Sequence, residues 1–235
     1  MGEPVLSIQN LSAWYGREKT VLCDFSFRLY DHEAVGLIGL NGAGKTTFIK
    51  VLSGLHQEFS QEGASFFGEP LNFRGEEFKA CRYTVFAEDN SFSYFTFQEY
   101  LSYVFSAYGK KLPDVSELVE GFHFREYENV LLKDLSTGNR KKVFLITAFA
   151  LKPRLLFLDE PVNGLDFGST EYLYQQILAF KKYGTVLFSS HILESITLTS
   201  DRVLVLEEGR ILKTLKAGEI DAPEIREALR YEHGI

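Results

Sequence analysis

Cysteine is scarce in this chain, with 2 among 235 residues. Cys23 falls in an apolar alternating stretch and Cys81 at the end of a helical one. Neither has metal-ligand spacing, so both read as buried or incidental thiols. Long apolar runs are missing as well. None approaches the ~20 residues that cross a bilayer, and the start, Met1-Gly2-Glu3-Pro4, is acidic rather than signal-like. Gly2 lacks the downstream Ser or Thr that myristoylation requires. A cytoplasmic chain is expected, with any membrane role supplied by a partner. Positive charge is in deficit too: 25 Lys and Arg against 32 Asp and Glu give a net charge of -7. That argues against a broad nucleic-acid or anionic-lipid surface. The chain is 45% hydrophobic and 24% charged, which suits one large domain or two closely joined lobes with a real core.

What is present centres on Gly39-Leu40-Asn41-Gly42-Ala43-Gly44-Lys45-Thr46-Thr47. It fits the phosphate-loop pattern G-x-x-x-x-G-K-[ST], and Ala34 to Ile38 before it and Thr46 to Leu52 after it read as strand and helix. Glycines let backbone N–H groups close around phosphate oxygens. A helix N-terminus adds partial positive charge. Lys45 would reach the β- and γ-phosphates, and the Thr46 hydroxyl would face Mg²⁺. The plain alternative is a Gly-rich turn between strand and helix, and the later motifs weigh against it.

Val5 to Leu11 reads as a first strand, followed by the exposed-looking pair Trp14-Tyr15. Val21 to Leu29 alternates at Cys23, Phe25, Phe27 and Leu29, a half-buried strand. Gly63 to Phe67 and Tyr83 to Phe86 read as further strands, with a short helix over Phe73 to Cys81. Phe97 to Tyr108 has helical periodicity, with Thr96 and Glu99 spaced as a capping box. Pro113 to Glu120 reads as a short helix with proline at its start, and Asn139 to Ala150 as a longer one. From Leu155 a strand–helix alternation resumes: strands Leu155 to Leu158, Thr185 to Phe188, Arg202 to Leu206 and Arg210 to Leu215, and helices Ser169 to Lys182, Ile192 to Leu198 and Pro223 to Tyr231. This predicts an α/β fold: a mixed or largely parallel core sheet flanked by helices, an antiparallel β portion near the N-terminus, and a helical lobe between. The expected segments are 1–94 and 151–235 for the catalytic core and 95–150 for the helical lobe.

A second signal is Asp159-Glu160 at the end of the apolar run Leu155 to Leu158. Asp159 would hold Mg²⁺ and Glu160 would be the general base for an attacking water. An ordinary helix cap or solvated turn is the alternative, and four apolar residues feeding into two carboxylates make it the weaker one.

Together these motifs resemble the ATP-binding cassette (ABC) transporter ATPase subunits. The phosphate loop comes first. Leu135-Ser136-Thr137-Gly138-Asn139 resembles the family signature, Leu155 to Glu160 the strand with its acidic pair, and Gly164-Leu165-Asp166 the dimer-contact loop. His191 falls at the switch histidine and Tyr15 at the aromatic that stacks on adenine. The likeness runs from Leu6 to about Leu215. It implies a P-loop NTPase with ATP and Mg²⁺ as ligands, and a head-to-tail homodimer or a heterodimer with a related ATPase. It also implies integral membrane permease subunits as partners and a place at the cytoplasmic side of the membrane, with no nucleic acid involved. In such a dimer the nucleotide of one subunit would meet Ser136 and Gly138 of the other. Lys45, Glu160 and His191 would be catalytic. Asn41, Gly42, Ala43, Gly44, Thr46 and Thr47 would cradle the phosphates.

Two departures stand out. The family's usual Gln before the helical lobe falls at Ala87, leaving Glu88 as the available metal-facing group. Thr137 and Asn139 replace the usual Gly and Gln of the signature. An active ATPase driving transport, most like the exporter type, is the expectation. An ATP-held dimerising scaffold with little hydrolysis, or a non-transport ABC ATPase, is the alternative.

Overall fold

The computed structural model describes residues 2–16 and 19–230. Two sheets share the chain. The antiparallel one is built from β1 (Leu6–Tyr15), β2 (Lys19–Leu29), β4 (Phe59–Ser60), β5 (Gly63–Phe66) and β6 (Glu69–Pro70). Its order is β2-β1-β5-β6, with β4 also on β1. The other contains β3 (Ala34–Ile38), β7 (Arg82–Val85), β8 (Leu155–Leu158), β9 (Thr185–Ser190), β10 (Arg202–Glu207) and β11 (Arg210–Lys216). Its order is β11-β10-β3-β9-β8-β7, parallel except for β11. The helices are α1 (Lys45–Leu52), α2 (Glu76–Cys81), α3 (Phe97–Ala107), α4 (Ser116–Gly121), α5 (Thr137–Leu151), α6 (Phe167–Phe180), α7 (Leu193–Thr199) and α8 (Ala222–Arg230).

The period-2 rule of a strand explains why the central strands of the parallel sheet are apolar on both faces. Val35, Leu37, Leu155, Phe157, Leu187, Leu204 and Leu206 point to a core shared with α1 and the antiparallel sheet. Their neighbours Ala34, Ile38, Leu156, Leu158, Val186, Phe188, Val203 and Val205 point to the opposite core, shared with α3, α5, α6 and α8. Both faces of β3, β8, β9 and β10 are covered, so these strands need no polar alternation, whereas the edge strand β11 is mostly exposed. The helices between β7 and β8 pack into the second core, with Phe97, Tyr100 and Phe144 buried.

Several local expectations need correction. In β2 it is Leu22, not Cys23, that is buried, whereas Phe25, Phe27 and Leu29 face inward as expected. The β1–β2 register shifts around Leu11 and Ala13, and Asp24 and Asn10 take left-handed φ of 48° and 49°. Bulges of this kind flip the side-chain phase. Helix α2 begins at Glu76 rather than Phe73. Helix α4 begins at Ser116 rather than Pro113, because Asp114 Oδ1 accepts from the Ser116 N–H at 2.9 Å and closes a turn there. Helix α5 begins at Thr137, so Gly138 lies inside its first turn. Thr96 and Glu99 form the full capping box at α3. The expected end of the last helix, Tyr231, lies outside the described residues.

Candidate functional site

The phosphate loop sits where β3 leaves the middle of the parallel sheet. Ligand sites in such sheets lie at the carboxyl ends of the strands, and β8 and β9, which deliver the acidic pair and His191, end beside it. Two glycines of the loop have no room for a side chain. A Cβ on Gly39 would lie 2.3 Å from the Leu206 carbonyl, and one on Gly44 2.7 Å from Leu22 Cδ2, with Gly44 at φ 105°. The Gly209 N–H donates to the Ala43 carbonyl at 3.1 Å, so the turn after β10 braces the loop from behind.

Lys45 is buried and donates to the Gly39 carbonyl at 2.7 Å and the Leu40 carbonyl at 3.3 Å. Its amine also lies 3.5 Å from Glu160 Oε1. The other oxygen of Glu160 is 2.8 Å from His191 Nδ1 and accepts from the His191 N–H at 3.3 Å. The Glu160 carboxylate is thus held between the phosphate loop and the end of β9. Its backbone is left-handed, φ 47°, a strained conformation for a residue with a Cβ. The Glu160 N–H donates to Ser189 Oγ at 2.9 Å, and the Ser189 hydroxyl donates to Asp159 Oδ1 at 2.7 Å. Thr46 Oγ1 donates to Asp159 Oδ2 at 2.9 Å. Lys45, Thr46, Asp159, Glu160 and His191 therefore meet at one place.

A cleft of about 260 Å³ opens over this group, lined by Tyr15, Lys19, Val21, Asn41, Gly42, Gly44, Lys45, Thr46, Thr47 and Glu160. Tyr15 is 43% exposed at its rim. Its hydroxyl stands 3.5 Å from Thr47 Oγ1, and its ring packs tilted on His56 with centroids 4.6 Å apart. His56 Nε2 lies 2.9 Å from the Trp14 carbonyl, tying down the end of β1.

A magnesium ion fits the residues present. Thr46 and Asp159 offer a hydroxyl and a carboxylate side by side, the hard oxygen donors that Mg²⁺ favours. Among the described residues no three His, Cys, Asp or Glu side chains converge as a ready-made cage, which is the usual situation for an ion that shares its coordination with phosphate and water. Glu88 is outside this cleft, in a neighbouring depression with Ala87, Asn90, Thr137, Arg140 and Lys141.

Ser136 and Gly138 do not line the cleft. Ser136 is exposed and caps α5, its hydroxyl accepting from the Asn139 N–H at 3.2 Å. Gly138 is buried against the loop after β8: a Cβ there would lie 2.0 Å from the Gly164 carbonyl oxygen. The three cations after it, disfavoured at a helix N-terminus, each find a partner within the chain. Arg140 donates to Asn90 and the Leu135 carbonyl. Lys141 donates to the Glu160 carbonyl at 2.8 Å and Lys142 to Asp166 Oδ2 at 2.6 Å. Burial lowers the Lys141 pKa, against the pull of Asp159, Glu160 and Glu88. Burial also disfavours the Asp166 carboxylate, but Lys142 and the Ser169 N–H and hydroxyl outweigh it and hold the carboxyl well below its usual range.

Residues 22–163 match a family model described as ABC transporter. The chain belongs to the ABC transporter ATP-binding family. It is 36% identical to the putative ABC transporter ATP-binding protein AlbC of Bacillus subtilis (strain 168), over 92% of this chain and 93% of AlbC. The ABC-type transporter ATP-binding protein EcsA of the same organism is 32% identical, over 88% of this chain and 85% of EcsA. A solved structure of an ATP binding subunit of an ABC transporter superimposes with a TM-score of 0.82 at 28% identity, covering 96% of this chain and 99% of the other. The antiparallel β portion, the P-loop core sheet and the flanking helices are thus those of an ABC ATPase, as the motifs imply. Three contributors were missed by reading the ABC motifs along the sequence. Ser189 and Lys19 fall just beyond the strands expected at Thr185 to Phe188 and Val21 to Leu29, where a polar residue is ordinarily only a strand end. His56 reaches the site because the segment after α1 returns to the end of β1, where β4 pairs with it.

Proposed function

We propose that this ABC ATP-binding chain hydrolyses ATP to drive transport, in the export direction, through separate membrane subunits. The observation that carries the hydrolytic part is the Glu160 carboxylate held 2.8 Å from His191 Nδ1 and 3.5 Å from the Lys45 amine, beside Asp159 and Thr46. Adenine stacks on Tyr15 and the phosphates lie along Asn41 to Thr47. Lys45 exchanges its loop carbonyls for β- and γ-phosphate oxygens. Glu160 accepts a proton from water as the water oxygen bonds to the γ-phosphorus and the bond to the β–γ bridging oxygen breaks, giving ADP and phosphate. His191 orients the Glu160 carboxylate. Thr46 and Asp159 would hold Mg²⁺, with Glu88, in the loop that joins the core to the helical lobe, the further carboxylate that would approach it. When bound, the ion neutralises charge on the phosphate oxygens.

Two such ATPase chains, identical or related, would pair head to tail, with Ser136 and Gly138 at the start of α5 facing the partner's γ-phosphate. Residues 95–150 would act as a lobe carrying that closure to permease subunits at the cytoplasmic side of the membrane, with 1–94 and 151–235 as the catalytic core. Tyr103, 51% exposed and packed on Phe92 and Phe95, and the 75% exposed Tyr94 support an aromatic docking patch where this lobe joins the core. The outward direction rests on overall likeness to exporter-type subunits. Glu160→Gln tests the hydrolytic part: ATP binding is expected to persist while steady-state phosphate release nearly disappears, and release near the wild-type rate would remove Glu160 as the base. Co-purification of a multi-span membrane protein with the tagged chain from detergent-solubilised membranes tests the transport part.

A further inference from the structure

One buried ammonium has no part in the hydrolysis just described. Lys141 is 3% exposed, and its amine donates to the Glu160 carbonyl at 2.8 Å. Burial of a lysine is costly without a partner, and the partner here is the backbone of Glu160, the residue lining the cleft that holds a left-handed conformation despite carrying a Cβ. Lys141 also belongs to a set. Gly138, Lys141 and Lys142 are spaced i, i+3, i+4, so they share one face of α5. All three grip the segment that follows β8: Gly138 abuts the Gly164 backbone, Lys141 holds Glu160 and Lys142 holds Asp166. Ser136 and Thr137, at the same helix end, stay exposed.

We propose that Lys141 is a positioning residue, tying the helix that begins at Ser136 to the backbone of Glu160 and thereby keeping the carboxylate aimed between Lys45 and His191. The proposal rests on the reading of Glu160 as the base. The left-handed backbone of Glu160 relaxes toward negative φ unless both its ends are held. Ser189 holds the N–H and Lys141 the carbonyl. Releasing the carbonyl lets the peptide turn and swings the side chain off His191. A displacement of the Ser136 end of α5 reaches Glu160 by the same rod, so contact at the signature of one chain is transmitted to that chain's own hydrolytic group.

The test compares wild type, Lys141→Met, Lys141→Gln and Glu160→Gln in steady-state phosphate release across ATP concentrations, with melting temperatures for all four. Methionine keeps the length and apolar stem without a donor; glutamine restores an N–H without the charge. Lys141→Met is expected to lower kcat about ten-fold or more, the usual weight of a hydrogen bond to a charged group. KM for ATP should stay within about two-fold, because the phosphate loop is untouched. Lys141→Gln should recover part of kcat, and Lys141→Met should melt no lower than Lys141→Gln. A wild-type kcat in Lys141→Met overturns the proposal. Equal losses of kcat and melting temperature in both variants overturn it too, since they would mark Lys141 as packing alone. Undiminished release by Glu160→Gln would instead sink the underlying assignment of the base.

Discussion

Gly138→Ala separates two roles that one residue has been given. In a head-to-tail dimer Gly138 would approach the partner's phosphate, yet within its own chain it is already pressed on the loop after β8. The added Cβ would lie 2.0 Å from the Gly164 carbonyl oxygen, and contacts under 3.0 Å are not sustained by real Cβ atoms. Backbone must therefore move by about 1 Å or more in a close-packed interior. The atom in the way is a main-chain carbonyl, which cannot rotate aside as a flexible side chain could. Lys141 and Lys142 pin the same helix face to Glu160 and Asp166, which limits how far α5 can retreat. Overpacking of this sort costs about 1–3 kcal/mol. In a chain of this length that lowers the melting temperature by roughly 2–12 °C. Thermal unfolding of the protein without nucleotide is the assay, with Gly42→Ala as the comparison. Gly42 has a left-handed φ of 87° but nothing within 4 Å of its Cβ position, so it reports backbone strain alone. Gly138→Ala should melt lower than wild type before any nucleotide is added. A wild-type melting curve would refute the steric argument and leave Gly138 with a role toward the partner's nucleotide only.

Three further outcomes are expected. Tyr15→Ala should raise the ATP dissociation constant several-fold while Tyr15→Phe should not, since base–aromatic stacking is worth about 1–3 kcal/mol and the hydroxyl contact to Thr47 is long at 3.5 Å; equal affinities by calorimetry would mean the ring only packs on His56. Ser189→Ala removes the donor to Asp159 and the acceptor of the Glu160 N–H together, and should lower kcat by about ten-fold or more, as lost bonds to charged groups do; unchanged turnover would count against the Ser189 link. The Asp166 carboxyl is held below its usual range, so its contribution to stability is present above the ordinary carboxylate pKa of about 4 and fades as pH falls through the folded value. The Asp166 side chain is 52% exposed, so Asp166→Asn should lose no more than about 1 kcal/mol near neutrality. That gap to wild type should close in acid, and a gap that widens in acid would reverse the sign assigned here.

Much of this was legible in the residues because the rules involved are local. The phosphate loop follows from glycine spacing between an apolar strand and a helix. The capping box follows from Thr96 and Glu99 three residues apart, and the strand before Asp159 from four apolar residues in a row. The failures share a cause as well. Cys23 was placed inward by continuing a period-2 count through Asp24, where a bulge resets the phase. The helix expected from Asn139 leaves Gly138 outside it, whereas α5 takes Gly138 in, and the crowding by Gly164 that sets the requirement there comes from a residue far along the chain. His56 and Trp14 meet across 42 residues of sequence, and no window along the chain contains both. The group around Glu160 was legible residue by residue, but its wiring through Ser189 and Lys141 was not.

The strand order has a consequence for how the protein is made. Strand β3, which feeds the phosphate loop, has β9 and β10 as its neighbours, and the partner of Ala34 is Val186. Ala34 to Ile38 are all buried in the finished molecule. At about 5–20 residues per second the ribosome needs roughly 8–30 s to pass from the one strand to the other. For that interval an apolar strand waits with both edges unpaired, a condition that invites association with other chains. A growing chain halted before β9 would display the whole phosphate-loop sequence and Asp159-Glu160, yet would lack the strand that seats them. Shielding of β3 during synthesis is then a requirement that the strand order places on production of this protein.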